Sequence, residues 1–174
     1  MSQLELVTRY IRDVQDFPKP GILFKDITPM LGHADAFRAS IELMKELVED
    51  LKPDVIVAIE SRGFLFGAPL GIELGAGFGP VRKPGKLPYE KISSSYDLEY
   101  GKDTLEMHVD AIRPGARVLL IDDVIATGGT AAAAIKLAQS CGGNVVGAAF
   151  FVELTFLSGG AKLAPCEVRS VLKY

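Results

Sequence analysis

Val118-Leu119-Leu120-Ile121-Asp122-Asp123-Val124-Ile125-Ala126-Thr127-Gly128-Gly129-Thr130, running on into Ala131–Ala134, is the stretch on which the fold turns. Four apolar residues in succession read as a strand buried on both faces. Two carboxylates follow where the strand emerges, then a hydroxyl, two glycines and a second hydroxyl. The Ala-rich segment behind them favours helix. A strand, an acidic pair, a Gly-rich turn and a helix together make a device for holding a phosphorylated sugar. The glycines let backbone N–H groups approach an anion closely. The helix adds unpaired N–H groups and the positive end of its dipole. Thr127 and Thr130 add hydroxyl donors. Asp122 and Asp123 would repel a phosphate, so they suit the two hydroxyls of a ribose. No Lys follows Gly129, which excludes a triphosphate-binding loop, and the glycine spacing excludes a dinucleotide fingerprint.

The surrounding composition agrees with a small enzyme. The chain has 174 residues, 48% hydrophobic and 24% charged, with a net charge of −3. That is enough for one domain with a full core, and the acidic balance argues against a nucleic-acid partner. No apolar run approaches the roughly 20 residues that span a bilayer. Met1–Glu5 lacks a basic segment backed by an apolar run, so no secretory signal is expected. Cys141 and Cys166 have neither a redox nor a zinc spacing and read as free thiols in a reducing cytosol.

Outward from the central stretch, the spacing predicts an amphipathic helix over residues 3–14, broken at Phe17-Pro18-Lys19-Pro20-Gly21. The segment Ile22–Pro29 is too short and too interrupted to join a central sheet. Its Phe24 could stack on a planar ring, while composition alone favours Phe24 and Ile27 as anchors of a loop. A surface helix follows over Asp35–Leu51, with His33 before it as a capping or surface residue. Val55–Ile59 forms a second buried strand that ends in Glu60-Ser61-Arg62-Gly63 and a helix. In an open α/β sheet, ligands collect where strands end, so two such turns can face one crevice. Taken alone, Arg62 suits a diphosphate or serves as a surface residue capping the loop. Val81-Arg82-Lys83-Pro84-Gly85-Lys86 makes a cationic loop. Residues 89–110 alternate as a hairpin turning near Gly101-Lys102-Asp103, a long polar excursion of the kind that serves as a lid. No role falls to His108. Asn144–Val152 is a further buried strand, a short helix is expected over 156–163, and a last strand over 168–172.

The stretch 118–130 resembles the phosphoribosyl-diphosphate motif of the type I phosphoribosyltransferases. Phe17–Pro29, Glu60–Gly67, Val81–Pro88 and Tyr96–Gly101 are similar to the adenine phosphoribosyltransferase family, in order and over nearly the whole chain. The resemblance implies a single α/β domain with a twisted, mainly parallel sheet flanked by helices. It also implies a small N-terminal hood at about 1–33, a flexible hairpin lid at about 84–108 and a homodimer. It implies that adenine and 5-phosphoribosyl 1-diphosphate, with Mg²⁺, yield AMP and diphosphate. By residue, Ala126, Thr127, Gly128, Gly129 and Thr130 would hold the 5′-phosphate, and Asp122 and Asp123 the ribose. Ser61, Arg62, Arg82 and Lys83 would hold the diphosphate, with one or both of the last two reaching across a dimer interface. Leu23, Phe24, Lys25 and Ile125 would hold adenine, and Glu99 would move the purine proton. Magnesium is expected on substrate oxygens and water, with no direct protein ligand. Lys25 replaces the Arg of some members, keeping the charge and losing the planar fork. A regulatory module that uses the same pocket as a sensor is the competing reading, and the lack of a basic helix weighs against it.

Overall fold

The computed structural model describes residues 1–98 and 101–174, which form two compact units, Met1–Leu43 and Met44–Tyr174. In the first unit, helix α1 (Gln3–Arg9) starts at a capping box, with the Ser2 hydroxyl accepting from the Glu5 N–H and the Glu5 carboxylate accepting from the Ser2 N–H. This arrangement satisfies two otherwise orphaned donors. The helix is shorter than the expected 3–14. Residues 12–15 instead form strand β1 (Arg12–Gln15), paired antiparallel with β2 (Leu23–Asp26). Cross-strand charge overrides helical periodicity here: Arg12 pairs with Asp26, and Lys25 with Asp13 at 2.7 Å. As expected, the Ile22–Pro29 segment stays outside the main sheet, and Pro29 sits in the first turn of the short helix α2 (Thr28–Leu31). Helix α3 (Ala34–Val48) follows, continued by a 3₁₀ turn at Glu49–Leu51. The Ala36 N–H donates to His33 Nδ1 at 3.3 Å, so His33 caps this helix.

The second unit holds a five-stranded parallel sheet. Its strands are β3 (Val55–Ile59), β4 (Gly77–Val81), β7 (Arg117–Ile125), β8 (Asn144–Glu153) and β9 (Val168–Lys173), in the order β4-β3-β7-β8-β9. Helix α4 (Gly63–Leu74) links β3 to β4, and α5 (Gly129–Ser140) links β7 to β8. These crossovers cover both faces, which is why β3 and the first half of β7 read as unbroken apolar runs. On one face Val57, Val118, Leu120 and Phe150 pack with Ala131, Ala134, Ile135 and Ala138 of α5. Elsewhere in the core Phe66 of α4 stacks on Phe151 of β8, centroids 5.1 Å apart.

Between β4 and β7 lies an antiparallel hairpin, β5 (Lys91–Leu98) and β6 (Gly101–His108). Leu98 pairs with Gly101, so residues 101–103 lie in β6 and do not form the turn that the alternation suggested. Leu105 and Met107 are fully buried and belong to the main core, which anchors the base of the hairpin. The helix expected over 156–163 is two 3₁₀ turns, Thr155–Leu157 and Gly159–Leu163. Ser158 between them has φ 52°, which no continuous right-handed helix accommodates.

Candidate active site

The two strand-to-helix turns meet at the C-terminal ends of β3 and β7. They open on a cavity of about 580 Å³. Ser61, Arg62, Lys83, Asp122, Asp123, Ile125, Ala126, Thr127, Gly128 and Thr130, all singled out from the sequence, line it. The decisive contact is between the turns: Arg62 Nε lies 2.7 Å from Asp123 Oδ2. Adjacent parallel strands β3 and β7 bring their ends together, and so deliver a cation and an acid 61 positions apart to one place.

Charge is sorted around the cavity. At one end, α5 begins at Gly129 behind Gly128, which has φ +79° and no side-chain cap bond. The first-turn amides of α5 are thus left for a ligand. Beside them, Asp123 is nearly buried, and Asp122 Oδ1 accepts from the Asp123 N–H at 2.9 Å. Burial, and then the Asp123 charge, push the Asp122 carboxyl well above the usual range. Burial also raises Asp123, against the opposing pull of Arg62. A hydroxyl-bearing ligand that bonds these oxygens replaces water lost by burial.

Another part of the lining, which carries Glu60, Lys83, Tyr96 and Asp103, is internally tethered by ion pairs. Glu60 accepts from the Lys83 N–H at 3.0 Å, pairs with Arg82 Nε at 3.3 Å, and pairs with Lys86. Burial works against its ionisation, but Lys86, the Lys83 amide and Arg82 outweigh it and bring the carboxyl down to about 2. Arg82 is bridged through its backbone to Glu106 of β6, with N···O distances of 2.9 and 2.8 Å. Lys83 reaches the cavity, where it pairs with Asp103, and the Tyr96 hydroxyl donates to Asp103 Oδ2 at 3.0 Å. Burial opposes the Lys83 charge, and Asp103 with Tyr96 more than restores it.

Two expected residues lie differently. Arg82 faces Glu60 and is not among the cavity's lining residues, and Gly129 sits one step inside α5. Leu23, Phe24 and Lys25 lie on β2 in the first unit. Glu99 falls outside the described residues. Sequence reasoning passed over Glu60, Tyr96 and Asp103. Tyr96 and Asp103 are cross-strand partners in the hairpin, so the register that joins them was the missing signal.

Comparison with known proteins agrees with this geometry. The phosphoribosyl transferase domain family matches residues 30–164. The adenine phosphoribosyltransferase of Carboxydothermus hydrogenoformans is 55% identical over 166 residues, covering 95% of this chain and 98% of that protein. The crystal structure of adenine phosphoribosyltransferase from Thermoanaerobacter pseudethanolicus superposes with a TM-score of 0.95 at 54% identity, covering 98% of this chain and 99% of that one. The Saccharomyces cerevisiae enzyme, complexed with an imino-altritol bisphosphate and adenine, superposes with a TM-score of 0.91 at 40% identity, covering 97% of this chain and 98% of that one. With its acids, amides and cations arranged about one cavity and likeness running over almost its full length, this chain belongs to the adenine phosphoribosyltransferase family.

Proposed function

We propose that this protein transfers the phosphoribosyl group of 5-phosphoribosyl 1-diphosphate to adenine, releasing AMP and diphosphate. The observation that carries the proposal is the convergence of Arg62, Asp123 and the 126–130 turn on one cavity. In the reaction, a bond forms between adenine N9 and the ribose anomeric carbon. The bond from that carbon to the diphosphate oxygen breaks, and the purine gives up a proton. The transition state carries oxocarbenium character, as in other glycosyl transfers.

Each part of the chain has a task. The amides and hydroxyls of 126–130 hold the 5′-phosphate. Asp122 and Asp123 accept from the ribose hydroxyls and place negative charge beside the developing cation. Arg62 and Lys83 meet the diphosphate, and Ser61 adds a hydroxyl. Arg82 is held by Glu60 and contributes long-range positive charge, or reaches a partner's site in a homodimer. Ile125, with Leu23, Phe24 and Lys25, takes adenine, and Glu99 accepts the purine proton. Magnesium, when bound with the diphosphate, offsets the charge that builds on the leaving group. The donors fit an ion held through the substrate: Asp122 and Asp123 offer hard oxygens to the ribose hydroxyls, whose own oxygens would meet the metal. Substrate oxygens and water would complete its shell. Leu65 and Ile72 of α4 and Phe78 of β4 are exposed apolar side chains that support a homodimer.

The test is a substrate screen. Labelled adenine, phosphoribosyl diphosphate and Mg²⁺ should yield AMP. Product from hypoxanthine, guanine or orotate with none from adenine would refute the proposal.

A further inference from the structure

Gly159 opens the second 3₁₀ turn, 31 positions beyond Gly128, and is buried. It lies directly behind the turn that faces the cavity. A Cβ placed on Gly159 would stand 2.1 Å from the Ala126 carbonyl oxygen and 2.8 Å from the Gly128 nitrogen. Conversely, a Cβ on Gly128 would stand 2.3 Å from the Gly159 carbonyl oxygen. All three distances are inside van der Waals contact, so two bare backbones touch here. Gly160, the next residue, would meet Val168 Cγ1 at an ordinary 3.7 Å.

This contact bears on the polarity of the turn. A backbone cradle holds an anion when its N–H groups face inward and its carbonyls face away. Ala126 lines the cavity, but its carbonyl oxygen abuts Gly159, which does not. We infer that Gly159 is a positioning residue for the phosphate-holding turn: its missing side chain leaves the space into which the Ala126 carbonyl turns, and so keeps that oxygen off the phosphate. A methyl group at 159 would push the carbonyl and the Gly128 amide toward the cavity, setting a partial negative charge against an anion. The inference rests on assigning residues 126–130 to the 5′-phosphate.

Calorimetric titrations of ribose 5-phosphate and of diphosphate with Mg²⁺ separate the possibilities. In Gly159→Ala, ribose 5-phosphate binding should weaken roughly tenfold to a hundredfold, the loss of one or two charge-assisted hydrogen bonds, with diphosphate binding nearly unchanged. Gly160→Ala should bind both ligands as the unmodified protein does. If Gly159→Ala binds ribose 5-phosphate normally, or loses both ligands in parallel, the inference is overturned. If the unmodified protein does not bind ribose 5-phosphate, the assignment of the turn itself fails. Should Gly159→Ala not fold, amide exchange in the unmodified protein decides. Ribose 5-phosphate should slow exchange in residues 159–161 together with 127–130, and slowing confined to 127–130 overturns the inference.

Discussion

Replacing Glu60 by Gln removes one negative charge from among Arg82, Lys83 and Lys86 while keeping an acceptor for the Lys83 N–H. The carboxyl sits at about 2, against an ordinary 4.5. Lowering a carboxyl by that much corresponds to about 3 kcal/mol of stabilisation when the charged form is paired. The partners are partly in water, with Arg82 and Lys86 side chains 34% and 47% exposed, so solvent screening reduces the figure to about 1 kcal/mol. In a chain of this length, about 1 kcal/mol lowers Tm by about 2–4 °C. The sign with pH follows from the depressed carboxyl: the folded state binds its proton less readily than the unfolded state. The stabilisation is therefore complete above the ordinary value and is lost as pH falls through about 2. Urea unfolding of both proteins from pH 7 to pH 3 measures it. The difference should be constant down to about pH 5 and shrink to about half by pH 3. A difference that is absent at pH 7, or that persists undiminished at pH 3, refutes the idea that Glu60 acts as a counter-ion.

Other perturbations report on other parts of the site. Asp123→Asn should lower kcat/KM for phosphoribosyl diphosphate about ten- to a hundredfold, since acceptors facing the ribose hydroxyls lose their charge assistance; unchanged steady-state kinetics would remove Asp123 from the ribose site. Asp122 and Asp123 are both raised, so the folded state holds their protons more tightly, and this contribution to stability is present at low pH and lost as pH rises. The Asp122→Asn/Asp123→Asn double variant should accordingly gain stability relative to the parent from about pH 4 upward, as read from urea midpoints. Lys83→Met should raise KM for phosphoribosyl diphosphate by about tenfold while leaving ribose 5-phosphate affinity unchanged in calorimetry; equal loss for both ligands would contradict a diphosphate role. Glu99→Leu should lower kcat more than it raises KM, and full turnover across pH would exclude proton transfer by Glu99.

The main sheet was legible because parallel strands buried on both faces leave continuous apolar runs, as in Val118–Ile121 and Val55–Ile59. The polar turns were legible because ligands gather at the ends of such strands, and Arg62 and Asp123 do meet there. What the sequence hid was tertiary. Residues 12–15 carry a helical spacing, yet they pair with β2 through Arg12–Asp26 and Lys25–Asp13. Glu60 looked like one more polar residue in a turn, because its three partners lie more than 20 positions away. Gly159 left no trace, since its importance is the backbone of Ala126 lying behind it in space.

The central claim is that one cavity sorts a single substrate by charge. A crystal structure with phosphoribosyl diphosphate and Mg²⁺ bound tests it directly. The account predicts the 5′-phosphate on the amides of residues 127–130, the ribose hydroxyls on Asp122 and Asp123, and the diphosphate beside Arg62 and Lys83. A substrate bound in the reverse sense, with its diphosphate in the 126–130 turn, would contradict it.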